Sequence, residues 1–127
     1  MLEKILFNEI PVRNMERSIS WYKEVLGLQL VWYSKEEGLA QLNLPSGQMI
    51  FLNETSDEGT NANFMKNGRE HNVIAFQASD IEKLYEHLKV HHVYVEDIID
   101  DGLGNLFLHF HDLWGNRFCV QQDVNLA

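Results

Sequence analysis

Residues 109–111 of this 127-residue chain read His-Phe-His. On an extended strand, a spacing of two sets both imidazoles on one face, about 6–7 Å apart along the chain. That spacing occurs in metal sites, and equally where two hydrogen-bonding groups face a wet surface. His71 and Glu9 are the other side chains of ligand type in strand-like segments, and a Glu/His pair can also exchange protons in acid–base chemistry. Cys119, the single cysteine, follows Arg117 by two positions. A neighbouring guanidinium favours a nucleophilic thiolate, whereas a lone cysteine on a strand also serves as a small buried apolar residue. His87, His91 and His92 fall on or just after a helical stretch and read as a solvated surface.

The elements that must position these groups belong to one acidic domain. Single domains run about 100–150 residues, and this length buries roughly two thirds of the unfolded surface. One cysteine closes no intrachain disulfide and supplies no cysteine-rich zinc site, so a packed core must provide stability and a reducing, cytoplasmic setting is expected. No apolar run approaches the ~18–20 residues of a membrane span, and Met1-Leu2-Glu3-Lys4 leads into a strand-like pattern with no basic-plus-apolar leader. With 19 acidic against 10 basic residues and a formal charge of −9, nucleic acid is not an expected partner.

The chain repeats itself. Phe7 to Arg17 aligns with Val73 to Lys83 at an offset of 66, and Leu39 to Leu44 aligns with Phe107 to Asp112 at an offset of 68. Residues 4–12 alternate, with Leu6, Ile10 and Val12 on one face. The period then becomes helical through Met15, Ile19, Tyr22, Val25 and Leu26, with Asn14 as cap and Gly27 as stop. Three apolar stretches follow near 28–33, 39–44 and 48–54, separated by turn formers. The second half predicts a strand at 72–78, a helix at 80–90 with Ser79 and Glu82 at capping-box spacing, and strands near 93–99, 104–111 and 116–122. Thr55 to Glu70, polar and rich in Gly and Asn, reads as a long connecting loop or lid.

Two βαβββ modules, with Val12, Asn14, Ser18, Trp21, Tyr22, Leu26 and Gly27 at the spacing of V-x-D-x-x-x-S-x-x-F-Y-x-x-x-L-G, resemble the vicinal oxygen chelate superfamily of glyoxalases, bleomycin resistance proteins and extradiol dioxygenases. Asp112-Leu113-Trp114-Gly115-Asn116-Arg117-Phe118 is similar to its D-P-x-G-N-x-[IF] turn, with Leu113 for proline. The resemblance implies an α+β fold: two tandem βαβββ modules forming curled mixed sheets around a cleft, with helices on the outer face. Module one spans about 1–54, the connecting loop about 55–70 and module two about 71–127 of a single domain. Trp21 and Tyr22 are then expected in the core, and one of Trp32 and Tyr33 in the cleft.

On that architecture, strand alternation assigns faces. Phe7 and Glu9 face the cleft from the first strand, Gln41 and Asn43 from the third, and Met49 and Phe51 from the fourth. Module two contributes His71 and Val73, then His109 and His111, then Arg117, Cys119 and Gln121. The family's metal ligands correspond to Phe7, Phe51, Val73 and Cys119, three apolar side chains and one thiol. The usual site therefore lacks the roughly three N or O ligands that a catalytic divalent ion needs, and no metal or other cofactor is expected there. The resemblance implies metal-independent binding of a small, partly apolar organic molecule, in the manner of bleomycin-resistance proteins that sequester a drug, and a homodimer. The competing expectation is a glyoxalase- or dioxygenase-like lyase, isomerase or oxygenase. It would use a displaced metal on His71, His109, His111 or Glu9, or Glu9 and His109 as acid–base pair.

Overall fold

The computed structural model describes residues 1–123, in which two α-helices and ten β-strands form mixed, open sheets of an α+β fold. The chain divides into two compact units, Met1–Asn61 and Ala62–Ala127.

In the first unit, β1 (Phe7–Val12), α1 (Met15–Glu24), β2 (Gln29–Ser34), β3 (Leu39–Asn43) and β4 (Met49–Glu54) follow in chain order. The sheet order is β1-β4-β3-β2, with β1 parallel to β4 and the other pairs antiparallel. Asn14 starts the helix as read from the sequence: its backbone is extended and its side chain accepts from the Arg17 amide at 3.0 Å. A second cap was not legible locally. The Glu54 carboxylate, at the far end of β4, accepts from the Met15 amide at 2.8 Å and so satisfies another of the helix's orphan N–H groups. Gly27, at φ +71, turns left-handed and lets its own N–H reach the Lys23 carbonyl. Ile10, Val12, Ala40, Leu42, Ile50 and Leu52, each at most 2% exposed, form the helix-facing side of the sheet and pack under Met15, Ile19 and Tyr22. Burying each large aliphatic contributes about 1.5–3 kcal/mol. Leu6 does not join them. It precedes β1 and is exposed, because the strand pairs with β4 only from Phe7 onward. Trp21 is partly exposed while Tyr22 is buried.

In the second unit, β5 (Asn63–Lys66) and β6 (Arg69–Asn72) form a hairpin, followed by β7 (Ala75–Gln77), α2 (Ile81–Val90), β8 (Ile99–Asp100), β9 (Asn105–His111) and β10 (Arg117–Asp123). The sheet order β7-β10-β9-β8 repeats that of the first unit, again with first and last strands parallel. The helix cap repeats as well: Asp80 accepts from the Lys83 amide at 3.1 Å, and Gln122 at the end of β10 accepts from the Ile81 amide at 2.7 Å. Asp80 thus takes the role the sequence reading gave to Ser79, one residue later. Leu108, Phe110, Phe118 and Val120 on the sheet and Ile81 and Leu88 on the helix are buried.

Two other expectations change. The stretch 55–70 is not all loop, because Asn67 (φ 53) and Gly68 (φ 76) make a tight left-handed turn between β5 and β6. Asn-Gly is the strongest short hairpin signal, and here the surrounding polarity hid it. The strand expected at 93–99 is reduced to a Val95–Phe110 bridge and the two residues of β8. Backbone bonds from His111 to Tyr94 and from Glu96 to His109 still run this segment along β9; Asp97 then accepts from the Tyr85 hydroxyl on α2.

Candidate functional site

Each four-stranded sheet has one face under its helix and one open face, and these open faces carry the residues singled out by the sequence, His71 and Val73 excepted. In the first unit the register sets Phe7 beside Met49 and Met49 beside Asn43, then Glu9 beside Phe51 and Phe51 beside Gln41. All six share a face because each pairing keeps the pleat in phase. The Phe7 and Phe51 rings stack at 4.3 Å and 17°, and Trp32 meets Phe51 edge-on at 5.9 Å and 87°. Trp32 Nε1 donates to Gln41 Oε1 at 2.9 Å, and Gln41 Nε2 donates to Asn43 Oδ1 at 3.0 Å, so a polar chain fixes the indole. Glu9 accepts from Asn53 Nδ2 at 2.8 Å. Phe7 and Trp32 remain 39% and 38% exposed, which leaves ring surface available to a ligand. Trp32 rather than Tyr33 takes the open face. The register shift between Leu30 and Trp32 resets the alternation of β2, so counting from the apolar pattern could not decide it.

In the second unit, β9 and β10 align His111 with Arg117, His109 with Cys119 and Phe107 with Gln121. The Cys119 amide donates to Ile74 on the β7 side, and the His109 carbonyl accepts from Glu96 on the β8 side. The two residues therefore exchange no backbone bond with each other and belong to the closer kind of antiparallel pair, about 4.5 Å between Cα atoms. Glu96 reaches across to Arg117: Nε donates to Oε2 at 3.1 Å and Nη2 to Oε1 at 3.3 Å, within a 3.0 Å ion pair. His71 lies on the β5–β6 hairpin rather than on one strand with Val73, Ala75 and Gln77, and its ring stacks on Phe64 at 5.3 Å. Val73 lies between β6 and β7, 63% exposed. The hairpin is tied to β10 by Asn63, which accepts from the Arg117 amide and donates to the Arg117 carbonyl. Asn116 and Asp112 close the G-N turn, with Asn116 Nδ2 donating to Asp112 Oδ2 at 2.8 Å and Asn116 Oδ1 accepting from the Ala62 amide.

Electrostatics separates the groups of this face. Burial lowers the His109 pKa, and Arg117 lowers it further; Glu96 opposes, and His111 and His71 add to the depression. The imidazole is thereby held neutral at pH 7 and able to accept a proton. Burial raises the Cys119 pKa, which Arg117 only partly offsets. Cys119 is a thiol and not the activated nucleophile that its distance from Arg117 in sequence allowed. His111 sits edge-on to Tyr94 at 5.1 Å, and its buried Nδ1 has no hydrogen-bond partner among the described residues.

The donor set does not fit the metal that the fold implies. Phe7 and Phe51 stack on each other at two of the corresponding positions, Val73 is apolar, and Cys119 is a half-buried thiol. Among the described residues no three His, Cys, Asp or Glu side chains are grouped to hold an ion. Elsewhere in this unit, an open depression of about 470 Å³ is lined by Tyr85, Lys89, His92, Val93, Tyr94 and Val95, none of them a residue singled out for ligand binding.

A sequence model of the glyoxalase/bleomycin resistance protein/dioxygenase superfamily matches residues 4–120. The chain belongs to that superfamily. No curated protein matches it in sequence. Among solved structures it resembles the fosfomycin resistance protein FosX of Listeria monocytogenes, with TM-score 0.80, 15% identity, and 98% of this chain and 97% of that one covered. It also resembles a lactoylglutathione lyase of Agrobacterium tumefaciens (TM-score 0.71, 16% identity, 96% and 95% covered). A third likeness is TioX of Micromonospora sp. ML1 (TM-score 0.73, 15% identity, 96% and 100% covered). At these identities the likeness is one of fold, and superfamily membership leaves the activity to the site. Glu96 is the functional-type residue that the sequence reading missed. Its signal was its alternation with Val93 and Val95, which sets it opposite the two apolar residues. No described helix is long and apolar enough to cross a membrane.

Proposed function

We propose that this protein binds a small, partly apolar organic molecule without a metal ion, on the open face of its first sheet. The observation that carries the reading is the Phe7–Phe51 stack with Trp32 edge-on, standing where superfamily members that use a metal would offer ligands. Half-exposed rings beside the Gln41 and Asn43 amides form the mixture that recognises such a molecule: apolar area for affinity and a few directional groups for orientation. The names of the fosfomycin resistance protein FosX and the lactoylglutathione lyase span resistance and lyase activities, so both kinds of role are available to the fold.

The test is elemental analysis of protein purified without chelator or affinity tag, joined to a tryptophan-fluorescence titration with a panel of neutral aromatic compounds. Binding that survives EDTA and weakens about tenfold in Phe51→Ala, roughly 1.4 kcal/mol, is expected. Stoichiometric metal that disappears in His109→Ala overturns the reading. The neutral His109 imidazole supports one further reading, acid–base catalysis without a metal. Turnover of a bound compound, lost in His109→Gln or Glu9→Gln with binding kept, would establish it. Pairing of two copies through the open edges of β1 or β7 is proposed on the ground that unpaired strand edges invite partners; light scattering giving twice the chain mass checks it.

A further inference from the structure

The open face of the second sheet sets the ion-paired Arg117 beside two imidazoles, His109 and His111, in a chain whose formal charge is −9. In the register His111 pairs with Arg117 and His109 with Cys119, and the Glu96 carboxylate pairs with the Arg117 guanidinium. We propose that this face is an anion subsite, where Arg117 and His111 donate hydrogen bonds to an oxyanion, in the simplest case a carboxylate, carried by a small organic molecule. The inference goes beyond the small-molecule reading of the first sheet and adds an anionic ligand on the second.

Geometry supports it in two ways. Glu96 engages the side of the guanidinium through Nε and Nη2. That fixes the plane of the group, while Nη1 has no acceptor among the described residues. Guanidinium ends match a carboxylate through two parallel N–H bonds. His111, directly opposite Arg117 in the register, has a buried Nδ1 with no partner among the described residues. A buried polar atom left unpaired is costly, and a ligand oxygen would satisfy it when the imidazole carries its proton on Nδ1.

The experiment compares benzoate with benzamide, nearly the same in shape and differing in charge, at pH 7 in EDTA, followed by NMR of isotope-labelled histidine side chains. Benzoate should move the His109 and His111 signals and bind at least about tenfold tighter than benzamide. Arg117→Gln should abolish that preference. Glu96→Gln, which frees the guanidinium and keeps the side chain's size, should tighten benzoate several-fold, and it carries the test if Arg117→Gln fails to fold. Equal binding of the two probes, a preference that survives Arg117→Gln, or benzoate unchanged or weaker in Glu96→Gln overturns the subsite and leaves the small-molecule reading standing. Silence of both probes also overturns the subsite; only if the neutral aromatic panel is silent too does the small-molecule reading fall with it.

Discussion

The two units share a scaffold and exchange the placement of their aromatic residues. In the first, the sheet side under the helix is aliphatic, from Ile10 to Leu52, and the rings of Phe7, Phe51 and Trp32 lie on the open face. In the second, the rings of Phe76, Phe110 and Phe118 lie together at 5.4–5.5 Å on the helix side, and the open face carries His109, His111, Arg117 and Cys119. Strand alternation makes this possible: a residue's parity along the strand decides its face, so one module can be repeated while either face is rewritten alone. Stability constrains the helix side, and the open sides are free to diverge into an aromatic surface and one that carries imidazoles and a guanidinium.

The largest effect that tests this contrast is a pair of ring deletions. Phe118→Ala should cost about 3–5 kcal/mol, because the ring is fully buried among other rings. Phe51→Ala, on the half-exposed face, should cost less than half as much while removing most of the aromatic binding. Chemical denaturation measures both. Equal losses would show that Phe51 serves the core and that the faces have not exchanged roles.

A smaller effect tests what the units have in common. Asn14→Ala and Asp80→Ala each remove one N-cap bond of the same geometry, and each should cost about 1 kcal/mol. The distant caps, Glu54 and Gln122, give a finer comparison. Glu54→Gln exchanges a carboxylate at a helix N-terminus for an amide and should lose a few tenths of a kcal/mol, whereas Gln122→Glu should gain a similar amount from the helix dipole. If the two substitutions change stability in the same direction, the repeat in the caps is one of shape without shared energetics.

The repeat was legible in the sequence because helix and strand periods, the Asn14 cap and the G-N turn are local signals. So were the faces of Glu9, Gln41, Met49, His109 and Arg117, which follow from parity once a strand is placed. What could not be read depends on partners distant along the chain. The bulge in β2 hid which aromatic faces out, and Glu54 and Gln122 reach their helices from residues 39 and 41 positions away. The pairing of Glu96 with Arg117, 21 positions apart, follows from sheet order and not from spacing. Cys119 shows the limit most clearly: nearness to Arg117 in sequence suggested activation, and burial outweighs it.

The smallest effect is a pH dependence that should belong to the second unit alone among the ligand-facing sets, since Phe51, Trp32, Gln41 and Asn43 have no proton to exchange near neutrality. For His109 the folded pKa lies below the ordinary 6.5. As pH falls through 6.5 the unfolded chain takes up its proton first. The stability contribution of His109 is therefore complete above 6.5 and is lost on the way down to its folded pKa. Cys119 gives the opposite limb. Its folded pKa lies above the ordinary 9.0, so the unfolded chain loses the proton first and the contribution, complete below 9.0, is lost as pH rises through the folded value. The difference in unfolding free energy between the wild type and His109→Gln should therefore slope only on the acid side. That between the wild type and Cys119→Ser should slope only on the alkaline side. A slope of the reverse sign in either would mean that charge, rather than burial, governs that group, and the open face of the second sheet would then have to be more solvated than its half-buried side chains indicate.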